Sequence, residues 1–148
     1  MFRNFSILLL CILFCTSSCK KKGKVVQDNI PYQTVNITIY PNDPSYFKIQ
    51  AVGGWMYISG GVNGIIVYRK AQNSAADFVA VERTSTYYPY DANAAVKVQS
   101  DSFTLKDTIS GSKWQIIDGA VMSGPATLPL RIYSTLYDNG TQALIIRN

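Results

Sequence analysis

The sequence of 148 residues contains no histidine, and its three cysteines, Cys11, Cys15 and Cys19, all fall within the first nineteen positions. From residue 20 onward there is neither a thiol nor an imidazole. That absence removes disulfides, thiol nucleophiles, Ser-His and Cys-His dyads, histidine acid–base work, and thiolate or imidazole metal ligation from what this stretch can do by itself. Charge is sparse too. From Val25 onward nine Lys/Arg face nine Asp/Glu, and a neutral body has no basic stripe with which to follow a phosphate backbone, so no nucleic-acid partner is expected. The formal net charge of +5 resides instead in Arg3, Lys20, Lys21, Lys22 and Lys24, with no acid among residues 1–24. No stretch keeps a helical period over three turns.

What is present begins with an address. Arg3 precedes an apolar run from Phe5 to Phe14 broken only by Ser6, followed by Thr16, Ser17, Ser18 and Cys19. About ten apolar residues are too few to span a bilayer and suit a signal-peptide core. Small residues directly before a cysteine resemble a bacterial lipoprotein signal, here 1–18, which implies that Cys19 is the acylated membrane anchor. The usual pattern has Leu three residues before that cysteine, and this chain has Thr16. Cleavage by an ordinary signal peptidase, leaving Cys19 unmodified, is the alternative. Stable anchoring takes more than one acyl chain, at about 0.8 kcal/mol per buried CH₂, and Lys20–Lys24 add attraction to anionic headgroups. The lysines lack accompanying acids, which points to a periplasm-facing lipoprotein of the cell envelope. Residues 19–33, polar and containing Pro31, read as a linker, with a β domain over 34–148.

That domain is a series of short runs rich in Val, Ile, Tyr and Phe. Strands are expected at 35–40, 46–52, 64–70, 77–83, 95–99, 102–106, 113–118, 130–137 and 143–148, with PNDPS, SGGVNG and DNGT as turns. Gly60-Gly61-x-x-Gly64 precedes a strand rather than opening a helix, so it reads as a turn and not a nucleotide loop. The fold class predicted is all-β, a small antiparallel sandwich or partly closed barrel.

The order of motifs is more specific. FVAVERTSTYYPYDANAAVKV (78–98) is followed by LKDTISGSKWQIIDGAVMSGPATLPLRIY (105–133) and a hairpin ending in ALIIRN. Over roughly residues 45–148 this resembles the Rieske iron–sulfur domain, in particular small lipoprotein forms that carry it alone. The resemblance implies two cluster-binding loops, one with Cys-x-His and one with Cys-x-x-His before Gly-Ser, then an aromatic and a covering Gly-Pro loop. Gly111-Ser112, Trp114, Gly119, Gly124-Pro125-Ala126 and Pro129-Leu130 match the second half in order.

The departures fall on the ligands. Counting from the matched motifs, the four ligand positions fall on Ser85, Tyr87, Asp107 and Ser110. Paired irons need thiolates on one metal and imidazole or further thiolates on the other. Hydroxyls are poorly ionised near neutral pH, and one carboxylate is a hard ligand. The expectation is a Rieske-like scaffold with no cofactor, its [2Fe–2S] cluster lost, its metal-binding residues none, and no catalytic residue assigned. A void left by the cluster would destabilise the fold, and Tyr87, Tyr88 and Trp114 are the bulky side chains placed to fill it.

Alternatives remain open at this level. TYYPY can serve instead as an exposed platform for a glycan or protein partner. Asp91, Asp101, Asp107 and Asp118 lack calcium-loop spacing and read as turn residues. Ser112 matches a family position that bonds the cluster, and here it reads as turn support. The main functional expectation is a membrane-anchored, non-catalytic binding or structural module. The alternatives are a Rieske-type electron carrier with non-standard ligation, and an enzyme using Tyr, Ser or Asp.

Overall fold

A computed structural model describes residues 29–148; the expected signal segment 1–18, the expected anchor Cys19 and the first part of the expected linker lie outside the described residues. Ten strands follow in order: β1 (Asn36–Ile39), β2 (Trp55–Ile58), β3 (Ile65–Arg69), β4 (Phe78–Glu82), β5 (Lys97–Val98), β6 (Thr104–Lys106), β7 (Lys113–Gln115), β8 (Val121–Ser123), β9 (Ile132–Asp138) and β10 (Ala143–Arg147). They form two antiparallel sheets. One has six strands in the order β1-β10-β9-β4-β3-β2, and it curls into a half-barrel. The other is a meander, β5-β6-β7-β8, inserted in the chain between β4 and β9. Those two flanking strands pair directly, with Ala80 opposite Tyr133 and Val81 opposite Ile132. The insertion therefore leaves the large sheet and returns to it at one place.

The hydrophobic pattern explains the two layers. Successive side chains of a strand point to opposite faces, so a strand covered on both sides reads as an unbroken apolar run. IIVYR in β3 and FVAVE in β4 are such runs. Ile65, Val67, Phe78 and Ala80 enter the core inside the half-barrel, with Ile39, Ile49, Tyr133, Leu144 and Ile146. Ile66, Val79 and Val81 enter a second core, against Leu105, Trp114, Ile116 and Leu130 of the meander and its loops. The β3–β4 hairpin is thus the shared wall. At one of its ends Arg83 N–H bonds the Gly64 carbonyl, and at the other Gly53 N–H bonds that of Arg69.

Three expectations are corrected. Residues 46–52 are not a strand: Pro44–Ile49 form a 3₁₀ helix, capped where the Asp43 side chain accepts the Ser45 N–H. Proline fixes φ and supplies no N–H to a ladder, and a helical spacing buries Ile49 while Phe47 stays exposed. Two strands went unpredicted. In β2 the apolar residues WMYI sit beside Gly53-Gly54, and the VMS of β8 is too short to signal alone. Residues 29–33, expected as linker, belong to the body. Ile30 is buried, Arg131 donates to the Ile30 and Pro31 carbonyls at 2.7 and 3.0 Å, and Asn29 Nδ2 donates to the Thr86 carbonyl at 2.8 Å. These anchors are backbone carbonyls met by distant side chains, which no local pattern reveals.

Candidate functional site

Three loops converge at the end of the β3–β4 hairpin where β4 leaves the large sheet: residues 83–90 after β4, 107–112 between β6 and β7, and 124–130 after β8. Asp107 stands at their centre, fully buried with Ser85 and Ser112. Its Oδ1 accepts the N–H groups of Ile109 (2.8 Å) and Ser110 (3.3 Å). Its Oδ2 accepts the hydroxyls of Ser85 (2.9 Å) and Ser110 (2.6 Å). A carboxylate offers about four acceptor sites, and here all four have donors.

The bonds continue outward from the carboxylate. Ser110 and Ser112 Oγ lie 2.9 Å apart. Each hydroxyl has one proton, and Ser110 gives its own to Asp107, so Ser112 donates to Ser110. Ser112 Oγ in turn accepts the Ala126 N–H at 2.9 Å, which ties in the Gly124-Pro125-Ala126 loop. Ser85 Oγ accepts the N–H groups of Tyr87 (3.2 Å) and Tyr88 (3.4 Å), shaping the turn that follows it. A second junction lies at the Leu128 carbonyl, which accepts both the Thr86 hydroxyl (2.8 Å) and the Trp114 indole N–H (3.0 Å). Every loop is therefore bonded to the other two. No buried side-chain nitrogen or oxygen among the described residues lacks a partner.

Three of the four positions counted from the sequence, Ser85, Asp107 and Ser110, meet in this knot. The fourth, Tyr87, contributes only its N–H. The aromatic filling expected between the loops is corrected in two of its three members. Trp114 is fully buried, but Tyr87 and Tyr88 are 41% and 40% exposed and stack edge-to-face on each other with centroids 4.6 Å apart. Small hydroxyls and a carboxylate close the space where rings were expected, because the loops approach closely enough for direct hydrogen bonds. Sequence reasoning saw the four positions but not their mutual bonding, since partners 22 residues apart carry no local signal.

A second buried carboxylate supports the first loop. Glu82 accepts the N–H groups of Val62, Asn63 and Thr84, the Thr84 hydroxyl at 2.7 Å and the Tyr133 hydroxyl at 2.7 Å. Burial, and then the bond to Glu82, pushes the Tyr133 phenol well above its ordinary range, so it stays protonated as the donor. Gly61 has φ +62°, and a Cβ there would sit 2.2 Å from Glu82 Oε2. The GGVNG turn exists to bring backbone N–H groups onto this carboxylate.

Among the described residues no group of three His, Cys, Asp or Glu side chains converges. The knot's donor set is hydroxyls and one carboxylate whose oxygens are already engaged, and this chemistry suits no thiophilic metal. No protein-family model matches the chain, and no curated protein matches it in sequence.

Proposed function

We propose that this chain is a membrane-tethered, non-catalytic β domain of Rieske-like form, in which a polar knot replaces the iron–sulfur cluster as the link between loops. The observation that carries the reading is the position of Ser85, Asp107 and Ser110. Sequence counting puts cluster ligands at these residues, and they bond to one another through a single carboxylate. A meander inserted between two paired strands of a larger sheet, with its loop 107–112 facing the loop after β4 and covered by a Gly-Pro loop, supports the same resemblance.

The non-catalytic part rests on access and proton balance. A nucleophilic serine needs a neighbouring base and a path to substrate. The Ser85 hydroxyl is buried and donates to Asp107, and both oxygens of that carboxylate are engaged by other donors as well. What such a domain offers is a rigid surface held at the membrane.

The test uses the full-length protein expressed with its signal segment and extracted from membranes in detergent. The reading predicts a colourless preparation with no electron paramagnetic resonance signal after dithionite reduction, and release of the Cys19→Ser variant into the soluble fraction. A reddish-brown protein with a reduced-cluster signal would establish the electron carrier instead. Equal membrane retention of Cys19→Ser would remove the tether.

A further inference from the structure

We infer that the tip formed by Tyr87, Tyr88, Pro89 and Tyr90 rests in the interfacial layer of the bilayer to which the chain is tethered. The proposal rests on the tethered reading above and adds the face by which the domain meets the membrane.

Three observations converge on the tip. First, it is the loop that the knot holds out: Ser85 and Thr86 are buried, while Tyr87, Tyr88 and Tyr90 are exposed, Tyr90 by 86%. Together with Asp91 they line a shallow hollow of about 290 Å³. Second, its chemistry is interfacial. Tyrosine pairs an apolar ring with a polar hydroxyl, the combination enriched where hydrocarbon meets headgroups. Residues 84–94 hold no Lys or Arg and one acid, Asp91, whose side chain accepts the Asn93 N–H. Contact at the tip is therefore carried by rings and not by charge.

Third, the first described residue is fixed at this spot. Asn29 Nδ2 is bonded to the carbonyl of Thr86, two residues from Tyr88. Cys19 lies ten residues earlier, a reach of at most about 35 Å even fully extended, and Lys20–Lys24 lie between. A tether of this length attached beside the tip keeps it near the headgroups and leaves Phe47 farther away. Phe47 is exposed on the 3₁₀ helix whose end, Gln50, is bonded to Arg69 at the other end of the β3–β4 hairpin. The short basic stretch favours anionic lipid, and the rings supply the apolar contact.

The test places tryptophan at each end of the full-length lipidated protein, as Tyr90→Trp and Phe47→Trp. Both are reconstituted in phosphatidylethanolamine–phosphatidylglycerol vesicles with or without brominated acyl chains, against the parent protein for the background of Trp55 and Trp114. The added emission of Tyr90→Trp is expected to fall about twofold with brominated lipid, as for a ring at interfacial depth, and that of Phe47→Trp to stay unchanged. Vesicle-bound protein with neither position quenched overturns the tip proposal and leaves the tether standing. Failure of the wild type to float with vesicles overturns the tethered reading, and the proposal with it. An emission change at Tyr90→Trp caused by soluble oligosaccharide or an envelope protein, with no lipid quenching, overturns the proposal and assigns the tip to that partner.

Discussion

Asp107 is the residue whose removal exposes the logic of the site. Substituting alanine takes this acceptor from two serine hydroxyls and from the Ile109 and Ser110 N–H groups, with Ser85 fully buried. Each buried polar group stranded in this way costs about 1–3 kcal/mol. Asp107→Ala is therefore predicted to lower the unfolding free energy by about 3–5 kcal/mol, and Ser85→Ala by about 1 kcal/mol, read from urea midpoints at constant slope. Loss of no more than a few tenths for Asp107→Ala would mean that the loops hold without the knot. Gly61→Ala belongs to the same scale. It forces a Cβ onto the Glu82 carboxylate at an already left-handed backbone position, so the variant is predicted to unfold at lower urea than the parent.

The pH dependence is also set residue by residue. With no histidine in the chain, no side chain of ordinary pKa titrates between about pH 5 and 8, and stability is predicted to be flat there. On the acid side, the Thr104 hydroxyl and then the Thr104 and Phe103 N–H groups hold Asp101 down at about 2. Asp43 and Asp138 are lowered by their bonds to Ser45 and to Thr141. A carboxylate with a depressed folded pKa stabilises fully above its unfolded value and loses that contribution as pH falls through the folded one. Stability should therefore decline below about pH 4, and Thr104→Val should move the Asp101 titration, followed by carboxyl NMR shifts, upward. For Tyr133 the sign reverses: its raised pKa gives stability that is complete below about pH 10 and lost above it. An acid limb unchanged in Thr104→Val would contradict the assignment to Asp101.

At the scale of elements, the β3–β4 hairpin decides the architecture because it faces two cores. Ile66→Ala removes a side chain only from the core under the meander, and Val67→Ala only from the half-barrel. Ile66→Ala is predicted to cost about 2–5 kcal/mol and to raise hydrogen exchange in β6 and β7 ahead of β9 and β10. Protection lost evenly in both sheets would show that the meander is not a separate unit. This hairpin was legible in the sequence as two strands, at 64–70 and 77–83, while its cover on both faces shows only in the fold. The β9–β10 turn was legible for the same local reason: Asp138 accepts the Gly140 N–H, as DNG predicts. The 3₁₀ helix at Pro44 was missed because its YFKI resembles a strand. What decides there is the Asp43 cap and the proline, two residues that the sequence presents as part of the PNDPS turn. The knot was legible only as four positions, since its bonds join side chains that the chain separates and the fold reunites. Tyr87 shows the limit of counting: its number matches a ligand position, but its ring stands outside.

For the molecule as a whole, the excess charge and the proposed anchor lie in sequence outside the described fold. All of the excess positive charge precedes residue 25, and the described body carries an ion pair inside. Arg69 and Asp77 meet at 3.5 Å, with Arg69 over the rings of Phe78 and Tyr137 at 5.0 and 6.0 Å. On the proposed reading, a body neutral overall and closed by its own hydrogen bonds holds its loops without a metal. The most direct measurement is iron and acid-labile sulfide per chain in the full-length protein, with its melting temperature taken before and after prolonged chelation under reducing conditions. A knot in place of a cluster predicts neither element above trace and an unchanged melting temperature. About two irons and two sulfides per chain, lost together with stability on chelation, would contradict it.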